Sequence, residues 1–372
     1  MTAPRPSRED LSPASGLEEG ELTRIAVIGG DGIGPEVVSA GMRVLEAVNE
    51  SDSSVELDFT EFPWSCGYYL EHGRMMPESG LETLEEFDAI YLGAVGWPTV
   101  PDHVSLWGLL LPIRRGFDQY VNLRPARLLR GVESPLSEPG ALDITVVREN
   151  TEGEYSDAGG RMYVGTPHEM AIQESIFTRR ALERIIRYAY ELAGERRGSL
   201  VGATKSNGIS ITMPFFDEIF REVGSEFPGV EASLMHADAL AARIVLRPQD
   251  FDVIVGSNLL GDLLSEVTAA VSGSIGIAPS ANLNPEKRFP SLFEPIHGSA
   301  PDIAGQGVAN PSGAIWAAAL LLEHAGHAEA GQHILDALES AIAGGTRTRD
   351  LGGAATTEEM TEAVVRELLG AD

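Results

Sequence analysis

The sequence predicts an α/β protein of two domains whose functional site lies at the carboxyl ends of its strands. Short apolar runs typical of buried strands alternate with longer stretches of helical spacing, and polar residues gather where the apolar runs end. With 372 residues, the chain can bury a large core and divide into two domains.

The elements can be placed in order along the chain. Residues 24–30 (RIAVIGG) are a buried-strand run that ends in glycines, and residues 35–48 then have helical spacing. Residues 87–96 repeat the pattern of strand followed by glycine, and residues 141–150 are a strand that ends in charged residues. Further predicted elements are an outward-projecting hairpin strand at 161–166, an amphipathic helix at 177–193, strands at 199–208, 231–238 and 251–258, and a core helix at 314–322.

The composition argues against several classes of function. A formal net charge of −29 disfavours nucleic acids and anionic membranes, and no apolar stretch is long enough to span a bilayer. Cys66 is the only cysteine, which excludes an intrachain disulfide and fits a reducing, cytoplasmic location. Residues 1–21 carry too many acidic residues for a mitochondrial presequence and lack the apolar segment of a secretory signal, so they are predicted to be a disordered tail.

The segment 257–311 carries the most chemistry. Asp262 and Glu266 are four residues apart just after the apolar run 251–255, so they lie on one face of a helix that begins at the end of a strand. Hard oxygen ligands in that position suit Mg²⁺ or Mn²⁺ better than zinc. The remainder is a loop rich in glycine, serine and proline around Asp302, suited to wrapping a polar cofactor. The segment therefore predicts a metal-assisted enzyme with a nucleotide cofactor.

Lysine is nearly absent from the chain. Lys205 and Lys287 are the only two, whereas arginine supplies every other cation. A chain that uses arginine for almost all its cations is expected to retain lysine mainly where arginine cannot replace it. One such place is a catalytic base, because lysine can lose its proton whereas arginine stays protonated. Lys205 stands at the end of a predicted strand, as a catalytic lysine should, although chance retention on the surface is the alternative. Lys287 lies in a loop and is interpreted as a bystander.

Three arginines, a tyrosine and a histidine each have a functional and a structural interpretation. Arg114, Arg124 and Arg148 lie at the ends of predicted elements, where they could bind the carboxylates of a small diacid or form salt bridges. Tyr155 could donate a proton or fill the core or its rim. His297 lies among small residues, where it could contact a purine or be structural.

Residues 29–36 (GGDGIGPE) follow a strand and precede a helix, as the dinucleotide-binding fingerprint does. Pro35 stands where the third glycine of that fingerprint would be, so a Rossmann fold is a poor interpretation. The sequence also lacks zinc-ligand spacing, a nucleophile elbow and a P-loop.

Several motifs together resemble one family. In chain order they are GDGIGPE, NLRP, VRENTEGEY, ATKSNGISITMP, NLLGDLLSE and FEPIHGSAPDIAGQGVANP. This order resembles the β-decarboxylating dehydrogenases, which include isopropylmalate, isocitrate and tartrate/D-malate dehydrogenases, and the likeness covers roughly residues 22–355. The runs SLWGLLLPIRRGFDQYVNLRP and IFTRRALERIIRYA are most similar to the tartrate/D-malate branch.

The resemblance implies a fold and an assembly. The fold would be two open α/β domains of non-Rossmann type around a central cleft. Residues 22–119 and 273–372 would form a discontinuous, large cofactor-binding domain, and residues 120–272 a small domain with an arm and the dimer interface. The active sites of the homodimer would be shared between subunits, so a monomer should be inactive.

The resemblance also implies roles for individual residues. Tyr155 would be the catalytic acid, whereas Lys205 (the base) and Asp238 would act in the neighbouring subunit's site. The metal ligands would be Asp238, Asp262 and Glu266, and the substrate-binding residues Arg114, Arg124 and Arg148. The cofactor-binding residues would be Glu294, His297, Gly298, Ser299, Ala300, Asp302 and Asn310.

The cofactor is expected to be NAD. Asp302 followed by Ile303 matches relatives that use NAD, because the carboxylate bonds the ribose hydroxyls and would repel a 2′-phosphate. Mn²⁺ or Mg²⁺ is expected, together with the K⁺ dependence that such enzymes often show. Two positions depart from the family: Glu266 stands where Asp is usual, and Pro112 where close relatives often carry Lys.

The expected reaction is oxidation and β-decarboxylation of a 2-hydroxy diacid, with D-malate or tartrate preferred. In relatives the loop 105–111 meets the substituent on the third carbon of the substrate, and Trp107 could fill that pocket. Leu110 and Leu111 are apolar enough to keep 3-isopropylmalate as the alternative. A non-catalytic subunit of a related dehydrogenase is a more distant alternative, because Tyr155 and Lys205 are both retained.

Overall fold

The computed structural model describes residues 22–370, so the predicted disordered tail at 1–21 lies outside the described residues. The described chain has twelve strands and twelve helices. The strands are β1 (Thr23–Ile28), β2 (Leu57–Phe62), β3 (Ala89–Leu92), β4 (Val121–Arg127), β5 (Asp143–Glu149), β6 (Gly159–Met162), β7 (Met170–Gln173), β8 (Ser199–Thr204), β9 (Glu231–His236), β10 (Val253–Gly256), β11 (Pro279–Leu283) and β12 (Ser291–Pro295).

The helices follow the strands in the alternation expected of an α/β protein. They are α1 (Gly34–Ser51), α2 (Cys66–His72), α3 (Gly80–Leu84), α4 (Asp102–Ser105), α5 (Leu111–Gly116), α6 (Arg179–Glu195), α7 (Thr212–Gly224), α8 (Ala237–Leu246), α9 (Asn258–Val271), α10 (Ser312–Ala325), α11 (Ala328–Ala343) and α12 (Thr357–Leu369). A π-helical turn, Leu106–Leu110, joins α4 to α5. Within residues 22–370 no helix combines the length and apolarity needed to cross a membrane.

Ten strands form one continuous mixed sheet in the order β2-β1-β3-β12-β11-β4-β5-β10-β8-β9. Pairing is parallel among β2, β1, β3 and β12, and again among β5, β10, β8 and β9. Three antiparallel pairings separate the two sets, at β12–β11, β11–β4 and β4–β5. The two parallel sets therefore run in opposite directions, so the carboxyl ends of one set lie on the same side of the sheet as the amino ends of the other.

Several inner strands of the sheet are buried, although β12 carries the polar Ser291 and Glu294. β3, β10 and β12 have no exposed residue, as expected of parallel strands covered by helices on both sides. α10 is buried along most of its length and packs on α1, α11, β11 and β12, which confirms the core helix predicted near 314–322. The predicted division into two domains stays a prediction, because the sheet continues from β11 into β4.

A small antiparallel hairpin, β6–β7, stands outside the main sheet. It is fully exposed on both strands, so the outward-projecting hairpin is confirmed. Its first strand ends at Met162 rather than 166, because Tyr163 adopts a left-handed conformation with a φ of 54° and begins the turn. The predicted strand 231–238 likewise ends early, at His236, and places Asp238 in the first turn of α8.

Candidate active site

Asp262 is the centre of a cluster of charged side chains near the end of β10. It lies on α9, which Ser257 caps by accepting a hydrogen bond from the Leu260 amide. Its carboxylate accepts hydrogen bonds from Arg124 (Nη1 to Oδ1, 3.0 Å), from Arg148 Nη1, and from the Tyr155 hydroxyl (Oη to Oδ2, 2.9 Å). Three of the predicted site residues therefore meet on one carboxylate.

The local charges set the protonation of this carboxylate. Burial alone would raise the pKa of Asp262, but the guanidinium groups of Arg148 and Arg124 and the Tyr155 hydrogen bond lower it below its ordinary value. Burial, followed by the nearby Asp262 charge, raises the pKa of Tyr155 instead. Tyr155 therefore keeps its proton beside an ionised acid, which is the state required of a proton donor.

The three predicted substrate-binding arginines are buried next to one another. Burial lowers the pKa values of both Arg114 and Arg148, and the charge of Arg124 adds to the shift at Arg148. The charge of Glu294 opposes the shift at Arg114, and the charge of Asp262 opposes it at Arg148. Concentrating like charges away from water is costly unless anions compensate them. Asp262 and Glu294 supply part of that compensation, and a diacid would supply more.

The approach of Arg148 to α9 requires a glycine. A Cβ atom at Gly261 would stand 2.6 Å from the Arg148 Cβ, so only glycine lets the strand and helix come this close. Asn258, one turn earlier on α9, accepts hydrogen bonds from the Nε (3.0 Å) and Nη2 (2.7 Å) of Arg148 and fixes its guanidinium plane.

Glu266 shares its side of α9 with Asp262, as the four-residue spacing predicts. The same Arg124 nitrogen is 3.0 Å from Asp262 Oδ1 and 3.7 Å from Glu266 Oε1. Burial raises the pKa of Glu266, and the Asp262 charge adds to that rise. The extra methylene of Glu266 therefore leaves its carboxylate next to that of Asp262, and this all-oxygen pair fits a Mg²⁺ or Mn²⁺ ion in its donor chemistry.

Lys205 and Asp238 form a second, separate pair. Lys205 follows β8, Asp238 begins α8, and the Nζ to Oδ2 distance is 2.8 Å. The hydrogen bond from Lys205 lowers the pKa of Asp238. Within residues 22–370 no three His, Cys, Asp or Glu side chains are close enough together to hold a metal ion, so one chain does not unite Asp238 with Asp262 and Glu266.

A cavity of about 310 Å³ opens beside the arginines. Arg114, Arg124, Glu294 and His297 line it, together with Leu106 from the π-helical turn. Glu294 accepts a hydrogen bond from Arg114 (3.0 Å) and another from Asn282 (2.8 Å), so its carboxylate fixes Arg114 in the cavity wall.

Trp107 does not line this cavity, contrary to the expectation that it fills the substituent pocket. Leu106 and Leu110 line the wall instead, and Leu111 is buried in the core. The π-helical turn rotates Trp107 onto the guanidinium of Arg115, which lies 4.8 Å from the ring centroid.

His297 connects this cavity to another of about 280 Å³, which is lined also by Ile303 and Asn310. Its Nε2 atom is buried and has no hydrogen-bond partner among the described residues, and burial lowers the pKa of its ring. A residue that lines both cavities fits an elongated polar ligand that spans them.

The turn after β1 closes onto the predicted cofactor loop. Gly32 has a φ of 61°, and a Cβ atom there would stand 1.9 Å from the Ser299 carbonyl oxygen, so this contact requires glycine. The Ile33 amide donates to the same oxygen at 2.8 Å. Gly298 and Asp302 are exposed on this loop, and Ala300 adopts a left-handed φ of 38°.

Asp350 and Glu154 are two structural supports that sequence reasoning missed. Asp350 accepts hydrogen bonds from Asn310 (2.8 Å), Ser274 (2.6 Å) and Thr348 (2.6 Å), and thereby orients the predicted cofactor-binding amide. Glu154 accepts from Ser257 (2.8 Å) and from the Leu259 amide (3.0 Å) at the start of α9. Glu154 could have been found from the sequence, because it lies in the TEGEY motif that identified Tyr155. Asp350 lies in no such motif, so no sequence pattern indicated that it contacts Asn310.

The chain is similar over nearly its whole length to proteins of one family. A model of the isocitrate/isopropylmalate dehydrogenase family matches residues 24–364. The chain is 55% identical over 345 residues to a probable tartrate dehydrogenase/decarboxylase of Bacillus subtilis, covering 92% of this chain and 97% of that protein. It is 54% identical over 356 residues to the decarboxylating D-malate dehydrogenase of Escherichia coli, covering 93% and 98%. An isocitrate dehydrogenase structure from Methylococcus capsulatus matches with a TM-score of 0.83 and 33% identity, over 93% of this chain and 99% of that one.

Proposed function

Because the chain belongs to the isocitrate/isopropylmalate dehydrogenase family and is an enzyme of the decarboxylating dehydrogenase type, we propose that it oxidises and decarboxylates D-malate or tartrate with NAD. The observation that carries this proposal is the convergence of Arg124, Arg148 and Tyr155 on Asp262. Such a cluster offers cations for a diacid, a carboxylate for a metal ion and a proton donor within one site.

The chain's own residues divide the reaction between them. Arg114, Arg124 and Arg148 hold the two carboxylates of the substrate and orient the bond between C2 and its hydrogen. Lys205 from the neighbouring copy accepts the proton of the C2 hydroxyl, and Tyr155 donates a proton to C3 after CO₂ has left. When bound at Asp262 and Glu266 with the neighbour's Asp238, Mn²⁺ or Mg²⁺ supplies Lewis-acid stabilisation of the developing negative charge, and NAD⁺ supplies the hydride acceptor.

The proposal is tested by NADH formation from the purified chain with Mn²⁺ and K⁺. Fast turnover is expected on D-malate or L-tartrate, with little on 3-isopropylmalate. The second candidate is 3-isopropylmalate, which is favoured by the apolar Leu106 and Leu110 in the cavity wall. Turnover on none of the three diacids would contradict the proposal and return attention to a non-catalytic subunit.

The cofactor preference rests on Asp302. Its exposed carboxylate lies beside Ile303, which lines the cavity that His297 and Asn310 share. A carboxylate there bonds the adenosine ribose hydroxyls and repels the 2′-phosphate of NADP.

Replacing Asp302 by lysine is expected to shift preference toward NADP by about tenfold or more, because repulsion of the phosphate becomes attraction. The measurement is the ratio of kcat/KM values for NAD and NADP, with Asp336→Lys as a control for the same change of charge on the exposed side of α11. An unchanged ratio in the Asp302 variant would count against the ribose contact.

A homodimer is proposed because several large apolar side chains between residues 162 and 246 are exposed. The hairpin exposes Met162 and Ile172, the end of α8 exposes Leu246, and the loop before α7 exposes Ile211, whose exposure is 82%. A second copy of the chain would bury such side chains in a shared interface.

Mixing two inactive variants is expected to restore activity if the sites are shared. Each shared site would take Asp262 from one subunit and Lys205 from the other. A dimer of one Lys205→Arg chain and one Asp262→Asn chain would therefore have both substitutions in one site and neither in the other. Random exchange of subunits should therefore recover about a quarter of wild-type activity, because half of the dimers carry one intact site of two. The two variants are unfolded and refolded together, and each variant refolded alone serves as the control. Recovery no greater than that of the controls would contradict shared sites.

A further inference from the structure

A third cavity, of about 290 Å³, is lined by none of the proposed catalytic residues. It shares no lining residue with the 310 Å³ cavity. Four guanidinium groups line it, those of Arg115, Arg180, Arg184 and Arg288. The end of α5, the first turns of α6 and the turn between β11 and β12 bring them together, and we refer to this site as the arginine crevice.

The carboxylates of the arginine crevice are already engaged. Asp118 accepts two hydrogen bonds of 2.9 Å from Arg184. Glu152 accepts from the amide (2.9 Å) and the hydroxyl (2.8 Å) of Thr178, the residue that caps α6. Within the lining itself four cations face two carboxylates, in a chain whose net charge is −29. Two further carboxylates, Glu286 beside Arg288 and Glu149 near Arg184, lie outside the lining.

Among the described residues, the other three arginines of the crevice make one ion pair between them. Arg115 donates to the Tyr155 carbonyl and stacks on Trp107, both of them neutral groups. The ion pair described for Arg288 is with Glu286, at 3.8 Å. Arg180 is exposed at the cavity rim in the first turn of α6, where the helix dipole also favours an anion.

Two of the arginines that line the crevice also carry an unsatisfied donor. The Nε atoms of Arg184 and Arg288 are buried and have no acceptor among residues 22–370. Buried donors without partners are uncommon in folded proteins, because each loses its hydration without a compensating hydrogen bond. They mark Arg184 and Arg288 as positions where the fold leaves hydrogen-bonding capacity unused.

We propose that the arginine crevice binds a small polyanion that carries two or more carboxylate or phosphate groups. Guanidinium forks match both groups bidentately, and a cavity with an excess of cations favours an anion of more than one charge. This binding does not depend on the proposed dehydrogenase reaction.

The crevice is coupled to the proposed active site through one short segment. Arg184 donates to the Thr151 hydroxyl (3.0 Å) and Arg115 to the Tyr155 carbonyl (2.5 Å), so residues 151–155 lie between the crevice and Asp262. A polyanion that draws Arg115 away from that carbonyl would shift Tyr155 and alter turnover without blocking the substrate. This consequence, unlike the binding itself, rests on the proposed role of Tyr155.

The test is calorimetric titration of the full chain, in the absence of metal and NAD, with pyrophosphate and with propane-1,2,3-tricarboxylate. The Arg180→Ala/Arg288→Ala variant removes two crevice cations. The Arg24→Ala/Arg130→Ala variant is the matched control, because both arginines are more than half exposed and neither lines the crevice. The melting temperature of each variant reports whether it folds.

The crevice variant is expected to bind the preferred anion at least about tenfold more weakly, as for the loss of a charge-assisted hydrogen bond, whereas the control binds like wild type. The tighter of the two probes identifies phosphate or carboxylate as the group recognised. Binding that is equal in both variants, or no binding to the wild-type chain, would each overturn the proposal.

Discussion

Replacing Lys205 by arginine is expected to lower kcat by about a hundredfold or more while leaving the fold unchanged. Arginine preserves the positive charge and the ion pair with Asp238, which measures 2.8 Å in the native chain. It cannot give up its proton at working pH, so it cannot act as the base. The measurement is steady-state turnover with NAD and the preferred diacid, alongside the melting temperature.

The sequence offers a matched control for this variant. Lys287 is the only other lysine, and Lys287→Arg makes the same chemical change at a turn between β11 and β12, outside the proposed active site. It should retain nearly full activity. Near-normal kcat in Lys205→Arg would remove the base assignment, whereas equal losses in both variants would point to a general intolerance of arginine.

Replacing Asp262 by asparagine is expected to reduce turnover by about a hundredfold or more at ordinary Mn²⁺ concentrations, because the metal loses a charged ligand and Tyr155 its ionised partner. The same change should lower the free energy of unfolding by about 1–3 kcal/mol, since Arg124 and Arg148 lose the carboxylate that accepts their hydrogen bonds. Activity titrated with Mn²⁺ and denaturant unfolding measure the two effects separately.

Glu266→Asp is the control for the Asp262 variant. It keeps the charge and leaves Asp262 with its partners, so turnover should stay within about threefold of wild type. If Asp262→Asn bound Mn²⁺ as tightly as the native chain, Asp262 would have to be withdrawn as a metal ligand.

The sequence predicted most elements because their patterns are local. The apolar runs before Gly29 and Gly256 became β1 and β10, and the four-residue spacing placed Asp262 and Glu266 on one side of α9. The family motifs selected Arg124, Arg148 and Tyr155, which converge on Asp262 through contacts between residues more than 100 positions apart.

The remaining features depend on pairing and rotation, which periodicity does not encode. Neither the opposite direction of the two parallel strand sets nor their junction through β11 and β4 follows from the order of elements. The side chain of Trp107 was misplaced because a π-helical turn changes which residues face the cavity. Asp350 reaches Asn310 from a 3-10 turn forty residues away, without a motif to mark it.

The position of β11 and β12 at the centre of the sheet determines when the protein can fold during synthesis. β3 and β4 each keep an unpaired edge until the ribosome has added residues 279–295 of the 372. Contacts of such long sequence separation form late, and open strand edges favour aggregation in the meantime. The nascent chain must therefore stay in solution through most of its translation, and its excess of acidic residues provides the repulsion between unfinished chains that this requires.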